Sequence, residues 1–136
     1  MRILALDHGT VRIGVAVSDE MKMIALPLES IPAEPFAGFL ARLKDLIREK
    51  EVELILVGLP RNMDGSDGPA ALKVREFVTV LKDSLAMPIK TWDERLTSAQ
   101  AHRMLSEAAV SHRKRKGKVD PMAASILLQS YLDTLS

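Results

Sequence analysis

Arg2-Ile3-Leu4-Ala5-Leu6-Asp7-His8-Gly9-Thr10, followed at once by Ile13-Gly14-Val15-Ala16-Val17-Ser18, is the stretch that decides the fold. An apolar run climbs to a single carboxylate, breaks into a Gly turn and resumes as a second apolar run. Fully apolar strands belong inside a sheet. Asp7 is therefore expected at the end of a central strand, where a charge is costly unless something offsets it. Two readings are open there: a turn-initiating Asp before Gly, or one member of a metal or phosphate site.

The next segment, Ile24-Ala25-Leu26-Pro27-Leu28-Glu29-Ser30, alternates as a half-buried strand does. Pro27 cannot donate to a ladder, so this strand is expected at a sheet edge. The links between these three strands are short, which makes antiparallel neighbours, because a parallel crossover needs a dozen or more residues. After Pro32 and Pro35, apolar residues Phe36, Phe39, Leu40, Leu43, Leu46 and Ile47 recur at helical spacing. Leu54-Ile55-Leu56-Val57 is a fourth, buried strand ending at Gly58-Leu59-Pro60, and residues 61–68 form a turn-rich loop. Pro69 opens a second helix, with Leu72, Val74, Val78, Leu81 and Leu85 as its stripe. Pro88 to Trp92 is a short fifth strand leading to Asp93-Glu94-Arg95.

Thr97-Ser98-Ala99-Gln100 fits a capping box at the start of a third helix. Residues 112–118 form a basic loop. Asp120-Pro121 then starts a last helix, Asp as N-cap and Pro in the first turn, with Ala124, Leu127, Leu128, Tyr131 and Leu132 as its apolar side. The order β-β-β-α-β-α-β-α-α predicts an α/β fold with a mixed five-stranded sheet and helices against it. A plain doubly wound sheet fits less well, since the start lacks a crossover helix and a G-x-G-x-x-G motif. No repeat, linker or low-complexity tract divides the chain, so residues 1–136 are expected to be one domain.

The totals narrow the function classes. With no Cys among 136 residues, disulfide frameworks, thiolate chemistry and Cys-based zinc sites are excluded. No apolar run approaches the roughly 20 residues that span a bilayer, and the N-terminus enters a strand pattern directly. The expectation is a cytoplasmic protein with no membrane partner. The net charge of +1 is uninformative, but its distribution is not.

Strands one, four and five run parallel in this reading, so their C-terminal ends share one sheet edge, the edge where open α/β sheets bind ligands. Asp7, Asp93 or Glu94, and Asp120 can converge there. Clustered carboxylates repel, and a divalent cation relieves this; oxygen-only ligation favours Mg²⁺ or Mn²⁺. A pair of such ions roughly 4 Å apart supports phosphodiester cleavage. Asp120 is equally explained as a helix cap. Asp93 and Glu94 are also explained as solvated loop residues paired with Arg95; they alternate in direction, so one of the two faces the cleft, and the alternation leaves open which. His112-Arg113-Lys114-Arg115-Lys116-Gly117-Lys118 reads either as a solvated loop or, beside Asp120, as a contact surface for a phosphate backbone. His8 is a weak candidate for proton transfer. Aromatic content of 4% argues against stacking on single-stranded bases.

Four segments together resemble the YqgF family, also called the RuvX group, of Holliday-junction-resolvase-like proteins. They are Asp7-His8-Gly9-Thr10-Val11-Arg12-Ile13-Gly14-Val15-Ala16-Val17-Ser18-Asp19, Gly58-Leu59-Pro60 with Asn62-Met63-Asp64-Gly65, Asp93-Glu94-Arg95-Leu96-Thr97-Ser98, and Lys118-Val119-Asp120-Pro121-Met122-Ala123-Ala124 running on through Ile126 to Leu132. They occur in family order over essentially the whole chain. The resemblance implies an RNase H-like fold, with a five-stranded sheet of order 3-2-1-4-5 in which strand two is antiparallel. It implies a nuclease associated with maturation of the 5′ end of 16S precursor rRNA and, by fold analogy, with junction resolution. The family's acidic triad carries over to Asp7, Glu94 and Asp120, as catalytic residues and as ligands of Mg²⁺ or Mn²⁺. Val11 stands where a Lys is common and Ser98 where a second Thr is common. Many RNase H-like nucleases carry a carboxylate at the end of strand four; this chain has Gly58-Leu59-Pro60 there.

The leading expectation is a divalent-metal-dependent endonuclease acting on structured RNA or branched DNA. Arg12, Arg61, Arg95, Arg113, Lys114, Arg115, Lys116 and Lys118 are the candidate phosphate contacts. The alternatives are a Holliday junction resolvase and a nucleic-acid-binding ribosome-biogenesis factor with a weak acidic site. An actin-like ATPase, which shares the strand-turn-strand, pairs two such domains and fits this length poorly. The chain could act as a monomer or homodimer; symmetric junction cleavage would need the dimer.

Overall fold

The computed structural model describes residues 1–96 and 119–135, with Val119 and Asp120 described by their backbone alone. The helix expected from Thr97 and the basic loop from His112 to Lys118 lie outside the described residues.

Five strands form one sheet in the order β3-β2-β1-β4-β5. β1 (Arg2–His8) is central because both its faces are apolar; Ile3, Leu4, Ala5 and Leu6 are all buried. β2 (Arg12–Ser18) returns antiparallel beside it, pairing Leu4 with Val17 and Asp7 with Gly14. Gly9 makes this return possible: its N–H donates to the Arg12 carbonyl at 3.0 Å, and a Cβ there would lie 2.5 Å from that oxygen. β3 (Ala25–Pro32) pairs antiparallel with β2 at the edge, where Pro27 costs no interior hydrogen bond. β4 (Val52–Leu59) and β5 (Ile89–Asp93) lie parallel on the other side of β1. The sheet order and the direction of each strand agree with expectation.

Helices pack on both faces. α1 (Phe36–Glu49) buries Phe39, Leu43 and Leu46, and α2 (Pro69–Ser84) buries Ala71, Val74, Phe77, Val78 and Leu81. Together they cover Leu4, Leu6, Ile13, Val15, Ile55 and Val57. α3 (Val119–Leu132) covers the opposite face, setting Ala124, Leu127, Leu128, Tyr131 and Leu132 against Ile3, Ala5, Ala16 and Leu56.

Three details depart from the sequence reading. Leu72, expected in the α2 stripe, is 53% exposed, because the stripe runs through Ala71, Val74, Phe77, Val78 and Leu81 and leaves position 72 on the outer side. Ile24 and Leu26 are exposed rather than half-buried; the core beneath α1 takes in Leu28 and Ile31, toward the other end of β3. α3 begins at Val119, so Asp120 lies in its first turn rather than at the N-cap. Pro121 still falls where the helix N–H groups have no intrahelical acceptor, so its missing donor is tolerated.

Candidate active site

Strand parity puts the candidate residues on opposite faces. On β1, Leu4 and Leu6 belong to the core under α1 and α2, and His8 follows them, its ring 4.5 Å from that of Phe77. Burial and the nearby Lys73 charge hold the His8 imidazole below its ordinary pKa. Ile3 and Ala5 belong to the α3 face, and Asp7 continues their row. On β4 the same face carries Leu56 and then Gly58, and Gly58 pairs with Trp92 of β5. Trp92 packs against Tyr131 of α3 with ring centroids 5.1 Å apart, and its indole N–H donates to Ser130 Oγ at 3.3 Å. Asp7, Gly58 and Trp92 thus form one row across three strands, with the middle position bare.

Glu94 fills that bare position. It opens the short 3₁₀ turn Glu94–Leu96 directly after β5. Its carboxylate lies back over β4, so that a Cβ at Gly58 would stand 2.7 Å from Glu94 Oε1 and 2.9 Å from Leu127 Cδ2. There it shares a hydrogen bond with Asp7. Burial first, then the Asp7 charge and that hydrogen bond, push the Glu94 carboxyl up to about 7. Two carboxylates in contact need a proton or a cation between them.

Asp93 points the other way. The Arg95 guanidinium holds it with Nη2 at 2.6 Å and Nε at 3.0 Å, and Arg61 Nη1 stands 3.9 Å away. These partners, Arg95 foremost, keep the Asp93 carboxyl below the usual carboxylate range. Of the two acids that the sequence left undecided, Glu94 meets Asp7 and Asp93 anchors Arg95.

Both arginines near the site are engaged. Arg95 Nη1 also donates to the Met63 carbonyl at 3.2 Å, tying β5 to the loop after β4. Arg61 Nε donates to Asp67 Oδ1 at 3.1 Å, and Arg75 holds the other Asp67 oxygen at 2.6 Å. The loop is braced internally as well. Asn62 N–H donates to the Ser66 carbonyl, Asp64 accepts from Ser66 N–H and Oγ–H, and Gly65 turns at φ +88°. Arg12 is exposed at the start of β2, just past the turn that follows Asp7. Asp120 belongs to the first turn of α3, and its side chain is outside the described residues, as are Arg113, Lys114, Arg115, Lys116 and Lys118.

Among the described residues, no group of three or more His, Cys, Asp or Glu side chains is placed to hold a metal. The Asp7–Glu94 pair is nevertheless an all-oxygen donor set whose mutual repulsion a hard divalent ion would relieve, so the chemistry of the pair fits Mg²⁺ or Mn²⁺. From the sequence, pairing of Asp93 or Glu94 with Arg95 is only a solvated-loop explanation, and Gly58 only a place without a carboxylate. The parity of β5 held the signal for the pair: Trp92 and Glu94 share one face, and Asp93 takes the other.

Comparison with known proteins first defines a class. The architecture is that of RNase H-like junction resolvases. Thermus thermophilus RuvC, solved in complex with a Holliday junction substrate, superposes with a TM-score of 0.57 at 17% identity, over 98% of this chain and 96% of that one. The fowlpox virus Holliday junction resolvase matches with a TM-score of 0.57 at 15% identity, over 98% and 99%. At these identities the likeness is one of fold.

The family follows from the sequence match. The family model "RuvX: Holliday junction resolvase" covers residues 1–134, and this chain belongs to that family. Relatives carry the name "Putative pre-16S rRNA nuclease". One from Halothermothrix orenii is 52% identical over 133 residues, spanning 98% of this chain and 95% of the relative. Another from Bacillus subtilis is 44% identical over 138 residues and spans all of both chains.

Proposed function

We propose that this chain, acting as a single nuclease domain, is a divalent-metal-dependent endonuclease that hydrolyses phosphodiester bonds of structured RNA, in the maturation of the 16S precursor's 5′ end. The observation that carries this reading is the contact between Asp7 and Glu94 at the C-terminal edge of the sheet. A half-buried pair of carboxylates, one of them, Glu94, with its pKa pushed up to about 7, at a ligand-binding edge is a functional-site candidate. Relatives at 44–52% identity over nearly the whole chain are named nucleases of that precursor.

Asp7 and Glu94 would hold Mg²⁺ or Mn²⁺, and Asp120 is proposed as the third ligand. Helix direction supports that assignment: Leu127 of α3 touches the row at Gly58, while Gln129 bonds Ala25 and Met23 at the far end of the sheet. The start of α3 therefore belongs to the edge that carries Asp7. When bound, the metal lowers the pKa of a water and offsets charge on the leaving oxygen. The chain's own contribution is to hold two oxygen donors in contact from either side of β4, with the sheet and α3 excluding water behind them. Arg12 and the run Arg113, Lys114, Arg115, Lys116 and Lys118 are proposed as direct phosphate contacts. Arg61 and Arg95, whose donors are shared with Asp67, Asp93 and the Met63 carbonyl, would add positive potential at the same edge. Such an enzyme would meet its precursor substrate in the cytoplasm.

A second reading, cleavage of branched DNA, is favoured by the description of the family model and by the resolvase folds of the structural neighbours. The two are separated by one assay. With Mn²⁺, the protein is incubated side by side with an RNA spanning the precursor 5′ end and with a four-way DNA junction. The proposal expects cleavage of the RNA at a defined position and little or none of the junction; the opposite preference would install the second reading. Binding of both substrates without cleavage of either would leave a binding factor rather than a nuclease.

A further inference from the structure

We propose that Gly58 is the positioning residue of the carboxylate pair: a bare backbone at this point of β4 is what lets Glu94, which belongs to the end of the next strand, stand against Asp7. The inference rests on the metal-site reading given above.

Asp7 and Glu94 come from β1 and from the turn after β5, and β4 runs between them. Adjacent strands are separated by about 4.8 Å, so the two backbones lie about 10 Å apart. For its carboxylate to meet Asp7, the Glu94 side chain must lie flat across β4. The point it crosses is Gly58, which shares the face of Asp7 and Trp92. A Cβ there would be 2.7 Å from Glu94 Oε1, closer than such atoms can approach. Leu127 of α3 crowds the same point, its Cδ2 2.9 Å away. A side chain at position 58 would therefore have to displace the Glu94 carboxylate, the Leu127 side chain or both.

The same geometry explains why the acid at position 94 is Glu. Aspartate is one methylene shorter and would stop short of Asp7. It also implies an interchange. An aspartate at position 58 would carry its own carboxylate into the space that Glu94 now fills, provided Glu94 is removed.

Calorimetric titration with MnCl₂ tests this without relying on catalysis, alongside thermal melts that report folding. Wild type is expected to bind Mn²⁺. Gly58→Ala and Glu94→Ala should each weaken binding at least about tenfold. The double variant Gly58→Asp with Glu94→Ala should regain most of the affinity that Glu94→Ala loses. A generic disturbance of the core would not be repaired by a larger residue at the crowded position, so the recovery reads out positioning. If Gly58→Ala does not fold, the double variant decides. Wild-type affinity in folded Gly58→Ala, or a folded double variant that binds no better than Glu94→Ala, would overturn the proposal alone. Absence of Mn²⁺ binding by wild type would overturn the metal-site reading and this inference with it.

Discussion

Glu94 holds its proton to about 7, where a carboxyl of its kind ordinarily loses it near 4.5. Between those values the folded chain is protonated at this position and the unfolded chain is not. Stability of the metal-free protein should therefore fall as pH rises through that window and level off above it, by up to about 3 kcal/mol. Urea unfolding in EDTA at pH 5, 6, 7 and 8 measures the slope, and Glu94→Gln should flatten it. A slope unchanged by the substitution would show that Glu94 does not carry the buried proton. The first nine residues left Asp7 open between a turn-initiating Asp before Gly and a site residue, and the acids and basic run later in the chain made it a candidate. Glu94 was legible only as one of two neighbours. What decided between them was a gap at Gly58, and a missing side chain leaves no mark in composition or periodicity.

At the scale of elements, the site depends on how the loop after β4 is fastened to the end of β5. Arg95 is the fastener: it grips Asp93 with two nitrogens and the Met63 carbonyl with a third. The pair is partly exposed, so replacing Arg95 with Ala should cost no more than about 1 kcal/mol of global stability. Its larger effect should be local. Amide hydrogen exchange at Asn62, Gly65 and Ser66 should accelerate in Arg95→Ala while exchange in β1 and β4 stays slow. Equal protection of the loop in both proteins would contradict the strap. The elements themselves were largely readable, since apolar runs of period 2 and 3.6 alternate cleanly with Pro and Gly punctuation. The misplacements were of faces. Leu26 and Leu72 are apolar residues that the packed helices do not reach, and no pattern in one chain reveals where a neighbouring element stops covering.

Over the whole molecule, a net charge of +1 conceals an uneven distribution, with Arg113, Lys114, Arg115, Lys116 and Lys118 gathered within six positions of the chain. If this run meets the phosphate backbone, exchanging these five residues for Ser should weaken RNA binding and flatten its dependence on salt. The slope of log affinity against log salt should lose about 0.7–0.9 per contact removed. An unchanged slope would make the run a solvated loop. The mixed five-stranded sheet followed from short hairpin links, an edge proline and the longer crossovers, and its strand order from the family resemblance, so the global arrangement was the most legible level of all. Distances between chain-remote side chains were the least, because they depend on register and parity summed over three strands.

The central claim is that Asp7 and Glu94 act as one metal-dependent catalytic pair. The most direct test is the single-turnover rate of cleavage of a 16S precursor 5′ fragment with Mn²⁺, for wild type, Asp7→Asn and Glu94→Gln, with folding and RNA binding checked in each. Both variants should bind the RNA and cut it at least about a hundredfold more slowly than wild type, since several kcal/mol of transition-state stabilisation would depend on the ion proposed to sit between the two carboxylates. Glu94→Gln cutting at the wild-type rate would contradict the account.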